Sequence, residues 1–204
     1  MPELQRTPER FATEEYEARL AGTRARMARQ GLDALIVSDP SNMAWLTGYD
    51  GWSFYVHQCV IVGPSGPPVW FGRGQDAQGA LRTVWMPEDA IIGYPDHYVQ
   101  STERHPMEYL AARLTDLGWN RGTIGVEMDN YWYSAKAHAC LAAGLGERAP
   151  GPRALLTGYG VFSLAAAALT QPPGPDGVPL PREAVIGDEI GPDLVRLRCG
   201  IVNV

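Results

Sequence analysis

Apolar positions along the first third of the chain follow helical spacing. Tyr16, Leu20, Thr23 and Met27 fall on one face of residues 13–30, the pattern of a helix with one side against a core. Thr13 is a suitable N-cap, Glu14 and Glu15 sit in the first turn beside the positive helix end, and Gly31 suits the left-handed residue that closes a helix. A continuous apolar run at 32–37 then predicts a buried strand. Asp39-Pro40-Ser41-Asn42 is a turn, with Ser41 as cap of a short helix ending at Gly48. Alternation over 53–62 predicts a second strand, closed by the breaker at 63–68, and 69–71 predicts a third strand that pairs with it as a hairpin. Residues 75–83 read as a helix and 91–92 as a short strand. Pro106 fits a first helical turn, followed by the stripe Met107, Leu110, Leu114 and Leu117, with Gly118 as terminator. A strand at 123–126 and a helix at 134–145 complete the series. Strands alternating with helices predict an α/β fold, a three-layer sandwich with helices on both faces of a central mixed sheet.

The pattern changes after Gly146. Residues 149–152 and 171–181 are rich in proline and glycine, and the Ala-rich piece at 163–169 between them has no amphipathic period. The chain therefore divides into a domain at 1–146 and an atypical tail at 147–204, expected to pack loosely. The longest apolar run, 161–169, is too short to span a bilayer, and the polar residues 1–11 lack the apolar core of a signal peptide. The 204 residues carry a net charge of −6 and no basic run, which argues against nucleic acid as a partner. Lys136 is the only lysine, which reads as a coding bias toward arginine. Cys59, Cys140 and Cys199 are odd in number and form no C-x-x-C pair. That argues against a disulfide framework and a structural zinc site, and suits a reducing cytoplasm.

Three stretches carry candidate chemistry. Residues 49–58, Tyr-Asp-Gly-Trp-Ser-Phe-Tyr-Val-His-Gln, concentrate aromatic rings with Asp50 and His57. They suit the lining of a small polar ligand, or equally one face of a strand turned into the core. Gly72-Arg73-Gly74-Gln75-Asp76-Ala77 matches the relaxed dinucleotide fingerprint G-x-G-x-x-A. Asp76 would face the phosphates, no acidic strand end follows about 20 residues on, and the unit sits in the middle of the chain, so a tight strand-to-helix turn is sufficient explanation for the glycines. Residues 94–105 hold Asp96, His97, Glu103, Arg104 and His105, an acid/base or ion-pair network or else a capped helix entry. The four histidines lack the spacing of a metal motif, no G-x-S-x-G elbow occurs, and Glu127 with Asp129 marks a strand end.

Asn42-Met43-Ala44-Trp45-Leu46-Thr47-Gly48-Tyr49 resembles the N-x-x-[YW]-L-T-G-[FY] signature of creatinase and prolidase amino-terminal domains. Leu32-Asp33-Ala34-Leu35-Ile36-Val37 and Ile124-Gly125-Val126-Glu127 stand where that family has its L-D-A-L-I-V and I-G-V-E strands. More narrowly, 49–58, 72–77 and 94–104 resemble the ectoine-hydrolase branch, and the resemblance covers 11–145. It implies the ribonuclease H-like fold of that domain, a cytoplasmic homodimer, and an enzyme that hydrolyses the cyclic amidine of ectoine to an acetylated diaminobutyrate. Catalysis and metal ligands in that family lie in a carboxy-terminal pita-bread domain, which nothing after Gly146 resembles. The expectation is a truncated domain, inactive alone, with no catalytic residue, cofactor or metal of its own and no membrane or nucleic-acid partner. Trp52, Tyr55, His57, His97 and Arg104 are then the candidates for substrate contact, in a domain that leans over the partner subunit's active site. The alternatives are a stand-alone module binding an ectoine-like zwitterion, and the amino-terminal domain of an Xaa-Pro peptidase.

Overall fold

The computed structural model describes residues 10–146, apart from Phe54 and Asp129, together with the backbone of 152–155 and 201–202. The expectation of a loosely packed tail lies, apart from those two short strands, outside the described residues.

The chain runs α1 (Thr13–Arg29), β1 (Ala34–Val37), α2 (Pro40–Thr47), β2 (Cys59–Val62), β3 (Val69–Arg73), α3 (Ala77–Thr83), β4 (Ile91–Tyr94), α4 (Pro106–Asp116), β5 (Ile124–Glu127), α5 (Ala135–Leu145), β6 (Pro152–Leu155) and β7 (Ile201–Val202). The strands form one mixed sheet in the order β4-β3-β2-β1-β5-β6-β7. β1 and β2, β2 and β3, and β6 and β7 are antiparallel, whereas β3–β4, β1–β5 and β5–β6 are parallel.

Both faces of the sheet are covered, so β1 and β2 read as unbroken apolar runs. Alternate residues serve opposite layers. Ala34, Ile36, Cys59, Ile61, Phe71 and Val126 pack with Met107, Leu110 and Leu114 of α4 and Ala137 and Leu141 of α5. Leu35, Val37, Val60, Val62 and Trp70 pack with Leu20 and Met27 of α1, Met43 and Leu46 of α2, and Ala80 of α3. This is the expected three-layer α/β sandwich.

Several boundaries differ from the sequence reading for identifiable reasons. Ala12, not Thr13, is the N-cap of α1 and contributes no side-chain bond, and Arg19 joins the buried face by donating to Glu15 and to the Trp45 carbonyl. Asp39 rather than Ser41 caps α2, its carboxylate accepting from the N–H groups of Ser41 and Asn42 while Pro40 opens the helix without an N–H to satisfy. Leu117 lies past the end of α4 and is exposed. The second strand is four residues, not ten. Residues 50–58 form a loop, because Tyr49 turns into the core and its hydroxyl donates to Gln58 at 2.9 Å, closing the segment on itself. Gly51 passes so close to the Tyr49 ring that an added Cβ would fall on it, 1.9 Å from the hydroxyl oxygen.

One buried carboxyl organises the junction of β1, α2 and β5. Glu127, at the end of β5 and 2% exposed, accepts on one oxygen from the N–H groups of Ser38 (2.7 Å) and Asp39 (2.8 Å). Its other oxygen accepts from the Asn42 amide at 2.7 Å. Burial pushes its pKa up to about 7 against the lowering effect of those three donors.

A carboxyl whose pKa is raised on folding contributes stability below its ordinary value near 4.5, and that contribution fades as pH climbs through about 7. Glu127→Gln should remove this decline between pH 4.5 and 7 in denaturant titrations. It should cost less than about 1 kcal/mol at pH 5, because after a flip of the Asn42 amide the new NH2 can donate to Asn42 Oδ1, which otherwise is buried without a partner. Glu127→Ala strands two buried N–H groups and should cost about 2–4 kcal/mol. Equal losses in the two variants would contradict this account.

Candidate functional site

Topology decides which loops meet. β1, β3, β4 and β5 all run in one direction, and β2 runs against them. Their carboxyl ends, with the loop entering β2, therefore share one edge of the sheet, the edge where open α/β sheets bind ligands. Residues 50–58, 74–76, 95–105 and 128–134 all emerge there.

A cavity of about 250 Å³ opens at this edge. Tyr55, Val56 and His57 form one wall. Tyr94, Tyr98 and the turn through Gln100 and Ser101 form a second. Arg104, His105 and Pro106 at the start of α4 face Ser134 and Lys136 at the start of α5. The two helices can lie this close because Gly144 meets Ala111 where any Cβ would come within 2.7 Å. The Tyr94 hydroxyl donates to the His57 carbonyl at 2.9 Å and so pins the loop 50–58 to the end of β4.

Two imidazoles form the floor. The His57 and His105 rings are 4.6 Å apart. His105 Nδ1 accepts from the Met107 N–H at 3.2 Å and caps α4, so its proton is on Nε2. Burial, then neighbouring His57 and Lys136, pull its pKa down to about 4. Burial also lowers His57, against a hydrogen bond from its ring to the main chain of Trp132. Both rings are neutral at pH 7, and the positive charge at the site belongs to Arg104 and Lys136.

Of the residues singled out from sequence, Tyr55, His57, Arg104 and His105 line this cavity. Trp52 is 79% exposed and Tyr55 60%, so these two rings lie at the surface while Tyr49 of the same stretch turns into the core, and the stretch is not one face of a core strand. Trp52 stands outside the cavity lining. His97 lies beside it, its ring 4.7 Å from that of Tyr98, and also does not line it. Asp96 is taken by Arg73, whose guanidinium donates to both carboxylate oxygens at 2.9 and 3.0 Å and holds the acid below the usual carboxylate range. Sequence reasoning missed Lys136, Ser134 and Tyr98. Lys136 stood out only as the single lysine, which reads as coding bias, and nothing local tied it to Arg104.

The glycine fingerprint has a packing explanation. A Cβ on Gly72 would meet the Trp70 indole at 2.4 Å, and one on Gly93 would meet Gly74 Cα at 2.7 Å. Asp76 sits at the start of α3 with Oδ2 buried, where its charge opposes a phosphate. Among the described residues no three potential metal ligands converge, and no helix is long and apolar enough to cross a membrane.

The family model described as the Creatinase/Prolidase N-terminal domain matches residues 19–149. The ectoine hydrolase of Halomonas elongata is 63% identical over 132 residues, covering 64% of this chain and 33% of that protein. An uncharacterized hydrolase/peptidase of Sinorhizobium fredii is 42% identical over 136 residues, 66% of this chain and 35% of the relative. The chain thus spans about a third of the length of these curated relatives. Among solved structures, a proline dipeptidase of Streptococcus pneumoniae superimposes with a TM-score of 0.53 at 20% identity, over 74% of this chain and 98% of that one. The N-terminal domain of cytoplasmic peptidase PepQ from Mycobacterium tuberculosis gives 0.52 at 22% identity, over 72% and 97%. These two likenesses establish the fold.

The histidine pair makes a prediction of opposite sign to that for Glu127. A histidine whose pKa is depressed on folding contributes stability above its ordinary value near 6.5, and that contribution is lost as pH falls through about 4. His105→Asn keeps a capping acceptor and removes the titration. Its stability, measured by denaturant titration, should therefore fall less than the parent's between pH 6.5 and 4. An unchanged acid profile in His105→Asn would show that the ring is not held neutral by its surroundings.

Proposed function

The chain belongs to the creatinase/prolidase N-terminal domain family, and on that premise we propose that it is the amino-terminal, substrate-access domain of an ectoine-hydrolase-type enzyme in ectoine degradation. The observation that carries this reading is the 63% identity to the Halomonas elongata ectoine hydrolase over 132 residues. Likeness to the proline dipeptidases, at 20% identity, supports the fold and no substrate.

In this reading the groups that hydrolyse the ring are supplied by a further part of the polypeptide, and the domain works in the cytoplasm as one half of a homodimer. Its contribution is the sheet edge that bears Trp52, Tyr55, His57, His97 and Arg104. Ectoine joins a delocalised amidinium to a carboxylate. Aromatic faces attract the first and a guanidinium pairs with the second, which is the chemistry this edge offers. Exposed Trp52 and Tyr55 suit a surface that is covered only when it meets the rest of an active site. No nucleophile–base pair in the cavity suggests turnover by this chain alone, since His57 and His105 pack against each other with tilted rings and bond to main chain.

The test is a chimera in which residues 10–146 replace the corresponding segment of the Halomonas elongata enzyme. It should open the ectoine ring, as followed by proton NMR. Trp52→Ala and Tyr55→Ala within it should each raise KM about tenfold while leaving the fold intact. A chimera that folds and dimerises but is inactive on ectoine would overturn the reading. Ring opening by the 204-residue chain on its own would overturn it equally.

A further inference from the structure

We propose that the cavity between the turn at 98–101 and the first turns of α4 and α5 binds a small monocarboxylate. Its charge is held between Lys136 and Arg104, and its body lies against the rings of Tyr98 and Tyr55. The inference deepens the reading above by assigning the charge-bearing group, and Lys136 was not among the residues that sequence reasoning offered for it.

The first support is electrostatic. The chain carries a net charge of −6, yet the cavity lining contains Arg104 and Lys136 and no aspartate or glutamate. Lys136 is the second residue of α5, behind the N-cap Ser134. A cation there is opposed by the helix dipole, so local propensity favours Asp or Glu at that position. The only lysine of the chain stands there, and it makes no hydrogen bond or ion pair among the described residues. The first turn of α4 opens onto the same space and adds its own positive end. Arg104 has only a loose pairing with its exposed neighbour Glu103, at 3.9 Å, which a ligand displaces at little cost. Glu108 acts on His105 but does not line the cavity. An anion is the missing member of this arrangement.

The second support is the shape of the wall. Gln100, which lines the cavity, has φ of 50°, the one non-glycine residue with positive φ among the described residues. Backbone held in that region costs free energy and concentrates where a ligand is clamped. Tyr98 is fixed edge-on between Tyr94 (6.5 Å) and Tyr109 (5.5 Å), and so presents a rigid face. The volume of about 250 Å³ suits a molecule the size of an amino acid. Two cations with ring faces around them fit a single carboxylate on an apolar or delocalised body. A phosphate dianion asks for more donors and gains nothing from the rings.

The probe is N-acetylglycine, titrated into the isotope-labelled 204-residue chain and followed by amide chemical shifts. Ectoine plays no part, so this test and that of the enzymatic reading fail independently. Saturable shifts should centre on Tyr98, Gln100 and Lys136. The neutral N-acetylglycinamide should produce none. Lys136→Gln should weaken binding about tenfold and Lys136→Arg less than about threefold. Lys136 is exposed, so both variants should keep the parent spectrum elsewhere. Absence of saturation up to about 50 mM would overturn the proposal. So would equal binding of the neutral amide, tighter binding of inorganic phosphate, or indifference to Lys136→Gln.

Discussion

The carboxyl of Glu127 is the point on which the sheet edge depends. Where the chain leaves β1, the N–H groups of Ser38 and Asp39 no longer have strand partners, and both are near the core. Glu127 takes both on one oxygen and Asn42 on the other. The bond therefore spans nearly ninety residues and fixes β5 against the entry to α2. Its cost is the desolvation of a carboxyl, which explains why its affinity for a proton rises despite three donors. Without an acceptor here the corner would have to open to water, and α2 would lose its seat on Leu35, Val37 and Val62.

Once that corner is set, the other loops have little freedom. Four strands deliver their ends to the same edge, and the loops 50–58 and 95–105 are tied down by specific contacts. Tyr94 holds the carbonyl of His57, Arg73 holds Asp96, and Tyr49 holds Gln58. Apolar packing ends at these contacts, so side chains beyond them project into solvent, as Trp52, Tyr55 and Tyr131 do. A surface of exposed rings beside a cationic cavity is costly for an isolated domain and informative for that reason.

Much of the fold was legible because it rests on local pattern. The helical stripe of α1, the unbroken ALIV and CVIV runs, and the glycines at 31, 48 and 118 with positive φ are all written in short windows of sequence. The ten-residue strand at 53–62 was misread because Phe54, Val56 and Gln58 alternate as strand residues do. The bond from Tyr49 to Gln58, which bends the segment away from the sheet, has no signature in either residue. The same limit applies to the site. Asn42 and Glu127 were each visible inside a motif, but not the bond between them. Tyr55, His57 and Arg104 were found from residue type alone. Lys136, thirty-two positions beyond Arg104, reaches the cavity only through the packing of α4 on α5, which depends on Ala111 and Gly144. Trp52 and His97 were grouped with the others by proximity in sequence and diverge from the cavity in space.

The charge state of the edge follows from two groups that burial acts on in the same sense. Burial favours the neutral form of a carboxyl and of an imidazole alike, so Glu127 moves up and His57 and His105 move down. The stability contributions of the two kinds of group consequently run in opposite directions across mildly acid pH, and part of each masks the other in the whole protein. Arg73 and Asp96 neutralise each other nearby. With the histidines uncharged near neutral pH and that pair cancelled, the field in the cavity is left to the fixed cations Arg104 and Lys136. The positive character of this edge therefore rests on those two side chains and not on the histidines beside them.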